Sequence, residues 1–296
     1  MKQSKREAFV YLVPGLLFLF VIFVIPLAYA VGISFFRWTL IRPDLGIRFV
    51  GIRNYITILG DPFTWETMGR TLLFVVGAVL VEMTIGTAIS LALNLNYRGH
   101  NIVQSVFLVP FMMAPIVVGF AWRFLLNNTF GPVSQLFRGI GLGKLVEIPL
   151  LANPDTVLLM LIIVDIWQFT PFVVLVVLAG MKALPAEPFE AAVVDGANAW
   201  QRFWQITVPL LRPSLLVAVV IRTLTALRIF DTVTIMTGGG PGSASEVLSY
   251  YGYRTAFQSY EMGLAGTIGI LTMVVSLIFT IFYIPVSYTH LRAHET

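Results

Sequence analysis

Five ionisable side chains occur inside otherwise apolar stretches of this chain: Glu82, Asp165, Arg222, Arg228 and Asp231. Charged groups are expensive within a lipid bilayer, so they usually pair with one another or line a wet path for a polar solute or an ion. At the helical rise, Arg222 lies about 13 Å and Glu82 about 16 Å into its apolar stretch, which places both near mid-depth. Arg228 and Asp231 are three residues apart, so we expect them to pair on one helix face. Pairing and path lining both stay open.

A second polar group in the same setting combines hydrogen-bonding side chains with an aromatic ring. Asp165, Trp167 and Gln168 lie close together in one apolar stretch. Carboxylate or amide groups that hydrogen-bond to hydroxyls, beside an apolar ring face, are the chemistry with which proteins recognise sugars. We therefore interpret Trp167, Gln168, Arg222 and Arg228 as candidates for the lining of a substrate path.

The composition is that of an integral membrane protein. The chain is 57% hydrophobic and 11% charged, whereas soluble domains are about 45–50% apolar and about 25% charged. The net charge is +4, but the basic residues are scattered and form no nucleic-acid-binding stripe. The absence of cysteine excludes disulfides and thiolate metal sites. Without a Ser-His-Asp or His-Glu-x-x-His arrangement, we expect no catalytic or metal site and no enzymatic activity.

The positioning elements must be membrane-crossing helices. Six stretches have roughly the 17–25 apolar residues that a tilted helix needs to cross a bilayer. They are residues 9–36, 71–95, 102–126, 156–181, 213–236 and 264–286. Prolines within or beside these stretches favour kinks. The predicted fold is an all-α integral membrane protein of six kinked transmembrane helices.

The organisation along the chain is simple. We expect a single transmembrane domain over residues 1–286, with three loops of about thirty residues on one face. The tail, residues 287–296, changes character abruptly and contains two histidines without supporting metal ligands. We interpret it as a solvated end, foreign to the native protein or arising from a truncated reading frame, and exclude it from functional reasoning.

The segment from Glu190 to Pro213 is polar and amphipathic and lies between two membrane-length stretches. Gly196 supplies the flexible residue at which a helix can stop and turn. Asn198 and Gln201 have the spacing of a capping box, which predicts a second short helix after a sharp bend. Such a loop, at about residues 184–212, is typical of a docking surface. The alternative is an amphipathic segment lying at the membrane interface.

This segment resembles the EAA loop of the membrane subunits of bacterial ABC importers, which lies in the cytoplasm and fits into a cleft on the ATPase subunit. The matching residues are Glu190, Ala191, Ala192, Asp195, Gly196, Ala197, Phe203 and Pro209. The resemblance implies that they couple this chain to an ATPase. Small side chains would allow close packing there, and the charged ones would select the register.

Three other stretches resemble sugar-importer permeases of the maltose and glycerol-phosphate type. They are Phe49, Val50, Gly51, Asn54 and Tyr55 after the first span; Pro110, Trp122 and Arg123 in the third; and Thr237, Gly238, Gly239, Gly240 and Pro241 after the fifth. We expect the glycine-rich stretch to be a flexible external loop that touches a binding protein or dips toward the substrate. Arg123 is expected to snorkel to the membrane interface.

The resemblance implies a heteromeric importer. This chain would pair with a second related permease, an ATPase dimer and an external solute-binding protein, and would carry a sugar-like substrate. The glycine-rich stretch at residues 139–144, GIGLGK, fails the spacing of a nucleotide-binding P-loop. We therefore expect no cofactor on this chain, with ATP and Mg on the partner ATPase.

The distribution of basic residues does not decide the orientation in the bacterial inner membrane, because eight Lys and Arg residues fall on each side of the six-span scheme. The resemblance places the coupling loop, and with it both termini, in the cytoplasm. Two alternative functions remain. One is an ion-coupled secondary transporter that uses Glu82 and Asp165 as carriers, and the other is an intramembrane enzyme.

Overall fold

The computed structural model describes residues 2–95, 99–147 and 149–288. Its regular structure is almost entirely helical, which confirms the all-α expectation. Most of the tail lies outside the described residues, since the last described residue is Tyr288. The chain forms two compact units: residues 1–66 with 251–274, and residues 67–250 with 275–296.

The first unit contains the first apolar helix and the segment that follows it. Its elements are α1 (Lys2–Leu19), a π-helical turn (Phe20–Val24), α2 (Ile25–Ser34), β1 (Phe36–Arg37), a 3₁₀ turn (Pro43–Leu45), β2 (Arg48–Phe49) and α3 (Arg53–Gly60). The apolar part of the span Tyr11–Ser34 contains no buried residue in the described chain, although Ser34 at its end is buried. That exposure suits a helix solvated by lipid.

Polar side chains close the end of α2. Asn54 donates hydrogen bonds to the carbonyl oxygens of Ser34 at 2.8 Å and Phe36 at 2.9 Å. The hydroxyls of Ser34 and Tyr55 lie 2.6 Å apart. These bonds satisfy carbonyl groups that a helix end leaves without partners. The FVGIRNY stretch thus anchors the first span to α3.

The remaining helices lie largely in the second unit. They are α4 (Pro62–Leu93), α5 (His100–Met112), α6 (Pro115–Leu125), α7 (Pro132–Gly139), a 3₁₀ turn (Gly143–Val146), α8 (Val157–Lys182), α9 (Glu187–Val194), α10 (Ala199–Arg202), a π-helical turn (Phe203–Thr207), α11 (Val208–Ala226), α12 (Asp231–Met236), α13 (Leu248–Phe257) and α14 (Met262–Tyr288). Helices α4, α13 and α14 each begin in one unit and end in the other.

Helix α8 is the centre of the second unit. Its Val173, Val177 and Met181 form a buried cluster with Leu211 of α11. Small residues permit close approach: a Cβ added to Gly86 of α4 would lie 2.7 Å from Val173. Such contacts between backbones are typical of helix packing in membranes.

The predicted third span is bent more sharply than a kinked helix, because it is broken into two helices. In the described residues, five helices are long and apolar enough to cross a membrane, and a sixth crossing exists only if the bent pair Asn101–Met112 and Pro115–Leu125 counts as one. These two helices meet at 94°. Met113 and Ala114 are extended, with ψ of 139° and 135°, because Pro115 disfavours helical geometry in the residue before it.

The predicted fifth span is wrong at both ends. Helical structure runs over Ala199–Ala226 without a break in the span, and α12 is a separate short helix. Arg228 and Asp231 therefore do not share a helix face. The Nε of Arg228 donates to the carbonyl oxygen of Leu224 at 3.1 Å, which satisfies a carbonyl at the end of α11.

Candidate functional site

A buried charge cluster joins three membrane helices. Arg222 of α11 donates from Nε to Oε2 of Glu82 on α4 at 2.6 Å, and from Nη2 to Oε1 at 2.8 Å. Its Nη2 also donates to Oδ2 of Asp165 on α8 at 2.6 Å. We call these three residues the Arg222 cluster. Its side chains are nearly inaccessible, since Arg222 is 1% and Glu82 0% exposed.

The rest of the guanidinium is also engaged. Nη1 donates to Oγ1 of Thr225 at 2.8 Å, and the guanidinium carbon lies 4.0 Å from the centre of the Phe169 ring. Bidentate pairing and ring stacking are the two contacts that arginine makes best in a dry interior. Arg222 is therefore placed to hold α4, α8 and α11 together.

The sequence indicated that such charges would pair or line a path, but it did not identify the pairs. Glu82 and Arg222 were each predicted near mid-depth, and opposite charges at similar depth were the available signal. The expected Arg228–Asp231 pair on one helix face does not form that way. Both residues instead line a cavity of about 120 Å³ beside Asp165 and Arg222.

Gln168 and Trp167 lie on α8 beside the break between α5 and α6. The Nε2 of Gln168 donates to the carbonyl oxygen of Met113 at 3.2 Å, so that Gln168 binds the extended residue at the break. Its Oε1 is buried without a hydrogen-bond partner among the described residues. Trp167 is partly exposed and packs edge-on against Trp122, with ring centres 5.6 Å apart.

Arg123 is exposed at the end of α6, and its snorkelling to the membrane interface stays a prediction. Its Nη1 donates to the carbonyl oxygen of Ile235 at 2.9 Å, which links α6 to α12. Carbonyls near a helix end lack intrahelical donors, and Arg123 supplies one.

The corner between α9 and α10 has the predicted local structure. Gly196 has φ of +77°, a conformation that glycine adopts without strain. The amide of Ala197 donates to the carbonyl of Ala192, and that of Gly196 to Val193, which together form a Schellman end. Asn198 and Gln201 make both bonds of a capping box, each at 2.9 Å. We call residues 187–202 the Gly196 corner.

We expected the second helix of the corner to be short and separate, but it is not. It continues through the π-helical turn Phe203–Thr207 into α11. One helical rod therefore begins at the Asn198 cap and carries Arg222. A π-helical turn accommodates an extra residue inside a helix, so the polar entry and the apolar span remain one element.

The predicted coupling residues are mostly on the surface of this corner. Glu190, Ala191, Asp195 and Gly196 are exposed, Ala197 and Phe203 are partly buried, and Ala192 is buried. Apolar side chains nearby are exposed as well, with Val194 at 86% and Trp200 at 70%. A groove of about 600 Å³ lies beside α9 and includes Glu190 and Arg202 in its lining.

The glycine-rich stretch is a compact turn, in contrast to the expected flexible loop. Ser245 Oγ donates to Thr237 Oγ1 at 2.8 Å and to the Gly240 carbonyl at 2.7 Å. A Cβ added to Gly239, whose φ is +80°, would lie 2.7 Å from the Tyr250 ring. Pro241 follows Gly240 through a cis peptide bond, and Gly238 also has positive φ. Hydrogen bonds within the turn and packing against α13 hold it.

Apolar spans around a buried charge cluster, joined by an exposed helical corner, define a membrane transport subunit. The model of the family described as "Binding-protein-dependent transport system inner membrane component" matches residues 84–286. The chain belongs to this family. It is a multi-pass inner-membrane permease subunit of an ATP-driven importer, and the ion-coupled alternative is not favoured.

Relatives agree with this assignment over nearly the whole chain. The trehalose/maltose transport system permease protein MalF of Thermococcus litoralis is 33% identical over 291 residues, which cover 96% of each chain. The trehalose transport system permease protein SugA of Mycobacterium tuberculosis is 30% identical over 90% of this chain and 84% of its own.

A solved structure shares the fold. A chain of a bacterial ABC transporter involved in the import of the acidic polysaccharide alginate superposes with a TM-score of 0.82 at 23% identity, with 98% of both chains covered. The same transporter type was also solved with an alginate pentasaccharide-bound periplasmic protein. At this identity the likeness concerns the fold.

Proposed function

We propose that this subunit forms half of the translocation path for a sugar or sugar-like solute, and that the loop from Glu190 to Pro213 couples it to a separate ATPase. The observation that carries the proposal is the Gly196 corner. It is rigid in its own hydrogen bonds, yet exposes Val194, Trp200 and charged Glu190. An exposed surface of aromatic, apolar and charged groups is the composition of a protein interface.

The corner is also well placed to transmit motion. Its first helix follows α8, which carries Asp165, and its second continues as the rod that carries Arg222. Ala199 and Arg222 are about 35 Å apart along a helix. Because the Arg222 cluster clamps both helices to α4, a displacement of the corner would move three helices together. Coupling through packed elements of this kind is how distant sites communicate.

The proposed assembly contains three kinds of partner subunit in addition to this chain. We propose a second related permease as the other half of the path, an ATPase dimer that binds ATP and Mg, and an external solute-binding protein. ATP hydrolysis would then take place on the partner, with no cofactor or catalytic residue on this chain. If the bent pair counts as one crossing, a cytoplasmic corner places both termini in the cytoplasm.

The proposed solute class is supported by the names of related permeases and by the chemistry of side chains in this chain. Relatives are named for trehalose, maltose and sulfoquinovosyl glycerol transport. In this chain, Gln168 has a buried oxygen without a partner among the described residues, and Trp167, its neighbour on α8, has an exposed ring. We propose Trp167, Gln168 and Arg228 as path residues. Arg222 was an equal candidate, but its engaged donors favour the packing role.

The test is substitution at the corner in a reconstituted complex. Glu190→Lys should lower binding-protein-dependent uptake at least about tenfold through a reversed interface charge. Gly196→Pro should do the same, because proline cannot adopt positive φ and lacks the amide that bonds Val193. Copurification of the ATPase, ATP hydrolysis and uptake in proteoliposomes are the measurements.

Matched variants separate the effects of charge and of backbone conformation from a general loss of folding. Glu190→Gln keeps the size and should retain most uptake, and Gly196→Ala should be intermediate. Normal assembly with undiminished transport in both Glu190→Lys and Gly196→Pro would remove the coupling assignment.

A further inference from the structure

The segment after the first span is unusually basic. Residues 37–53, here called the Arg37 loop, contain four arginines and one aspartate: Arg37, Arg42, Arg48, Arg53 and Asp44. In the proposed orientation this loop is external. Lys and Arg near membrane spans are normally in excess on the cytoplasmic side, so a basic external loop needs another explanation.

The Arg37 loop is a folded surface. Its strands β1 and β2 pair antiparallel, with Phe36 opposite Phe49. The amide of Leu40 donates to the carbonyl oxygen of Tyr260 at 2.9 Å, and that of Gly263 donates to Trp38 at 3.3 Å. These bonds and the Asn54 contacts fix the backbone from which the arginines project. A preorganised charged surface loses less conformational entropy on binding than a mobile tail.

Two of the arginines line one cavity. It has a volume of about 340 Å³, and its lining includes Arg37, Arg53, Trp38 and Glu261. Neither Arg37 nor Arg53 is hydrogen-bonded or ion-paired through its side chain to a residue that the structure describes. Glu261 contributes one carboxylate against two guanidinium groups. The cavity therefore has an excess of one positive charge.

Apolar side chains of the Arg37 loop are exposed as well. Ile41, Ile47 and Phe49 of the same loop are largely exposed. Arginine together with exposed aromatic and aliphatic side chains is the composition enriched in protein interfaces. A small free anion would gain nothing from the apolar groups, and Glu261 would weaken its binding. A carboxylate carried on a protein surface satisfies both features.

We propose that the Arg37 loop receives an acidic segment of the external solute-binding protein, with an Asp or Glu side chain in the Arg37–Arg53 cavity. This inference rests on the proposed function and orientation. Charge pairs at the rim of an interface act mainly on the association rate and its salt dependence. The loop would thus steer the loaded binding protein onto this subunit.

The experiment measures association of the binding protein with the complete transporter in lipid nanodiscs. Arg37→Glu/Arg53→Glu should slow association about tenfold at low salt. The difference should shrink toward zero at about 1 M salt, where the Debye length is about 3 Å. At saturating binding protein, stimulated ATP hydrolysis should reach the wild-type rate. The control is Lys144→Glu, a charge reversal at an exposed residue in another nominally external loop, which should leave the association rate unchanged.

Two further arms distinguish the ways of failing. In nanodiscs of purely zwitterionic lipid, the tenfold difference in association rate between wild type and the double variant should persist. A difference seen only with anionic lipid would overturn the proposal in favour of a lipid site. Because the chain has no cysteine, Arg42→Cys can be labelled with a membrane-impermeant maleimide. Labelling from the cytoplasmic side alone would refute the orientation itself. External labelling with an unchanged association rate in the double variant would refute the acidic contact alone.

Discussion

The Arg222 cluster and the Gly196 corner both contain charged residues, which lie on α4, α8 and α11 in the cluster and on α9, just after it and on α10 in the corner. The two regions differ in whether those charges are paired within the chain. In the cluster, Arg222 meets Glu82 and Asp165 at 2.6 Å, and nearly all of the charged surface is buried. At the corner, Glu190 and Asp195 are exposed beside unburied Val194. Charges that hold a fold together find their partners within the chain, whereas charges that recognise a partner wait for another molecule.

The largest effect should follow from breaking the cluster. Arg222→Ala leaves two buried carboxylates without their cation, and removal of one partner from a buried ion pair costs about 3–5 kcal/mol. We expect a marked loss of folded permease, measured as the thermal unfolding midpoint in detergent and as the yield of assembled complex. Arg228→Ala is the control, because Arg228 is exposed and its side chain donates to the Leu224 carbonyl.

A neutral replacement sharpens this test. Glu82→Gln/Asp165→Asn/Arg222→Met removes all charges at once and should recover most of the lost stability, since uncharged substitutes for buried ion pairs are often neutral or better. Recovery of stability together with transport assigns the cluster to packing. An Arg222→Ala variant as stable as Arg228→Ala would contradict the clamp.

A smaller effect is expected at the corner, where the cap is local. Asn198→Ala removes the side chain that accepts from Gln201, and loss of an N-cap costs about 0.5–2 kcal/mol. Exchange of the Gln201 amide, which donates to the Asn198 side chain, should accelerate about tenfold, with an unchanged global unfolding midpoint. Asn198→Asp keeps an acceptor and should exchange almost as slowly as wild type. Equal exchange in all three proteins would show that the cap does not hold the rod.

Gln168 is intermediate between the cluster and the corner, because it is buried and only its Nε2 has a hydrogen-bond partner among the described residues. Of the substitutions considered, its replacement should affect stability least. Gln168→Leu loses the bond to Met113 but also removes an unpartnered oxygen, so the change in stability should be below about 1 kcal/mol. If Oε1 accepts a solute hydroxyl, the KM for uptake should rise about fivefold to tenfold. Gln168→Asn retains an uncharged amide oxygen and serves as the control. An unchanged KM in Gln168→Leu would remove Gln168 from the path.

The sequence predicted features that depend on contacts between residues close in the chain better than features that depend on distant residues. The Gly196 bend and the Asn198 capping box were predicted correctly because both depend on hydrogen bonds between residues close in the chain. The third span was predicted as one helix because hydropathy averages over the Met113–Ala114 break. Pro115 was the local signal for the predicted kink, and the restriction that proline imposes on its predecessor explains why the helix ends there.

The amino-acid order alone specified an all-helical membrane protein, the position of the Gly196 corner and the residues that shape it, since hydropathy and local hydrogen bonding depend on neighbours. Tertiary structure alone decided which charges meet. Arg222 is separated from Glu82 by 140 residues and from Asp165 by 57, and no local rule selects those partners over Arg228 or Asp231. Their pairing depends on how α4, α8 and α11 pack, because only packing brings side chains at equal depth within hydrogen-bonding distance.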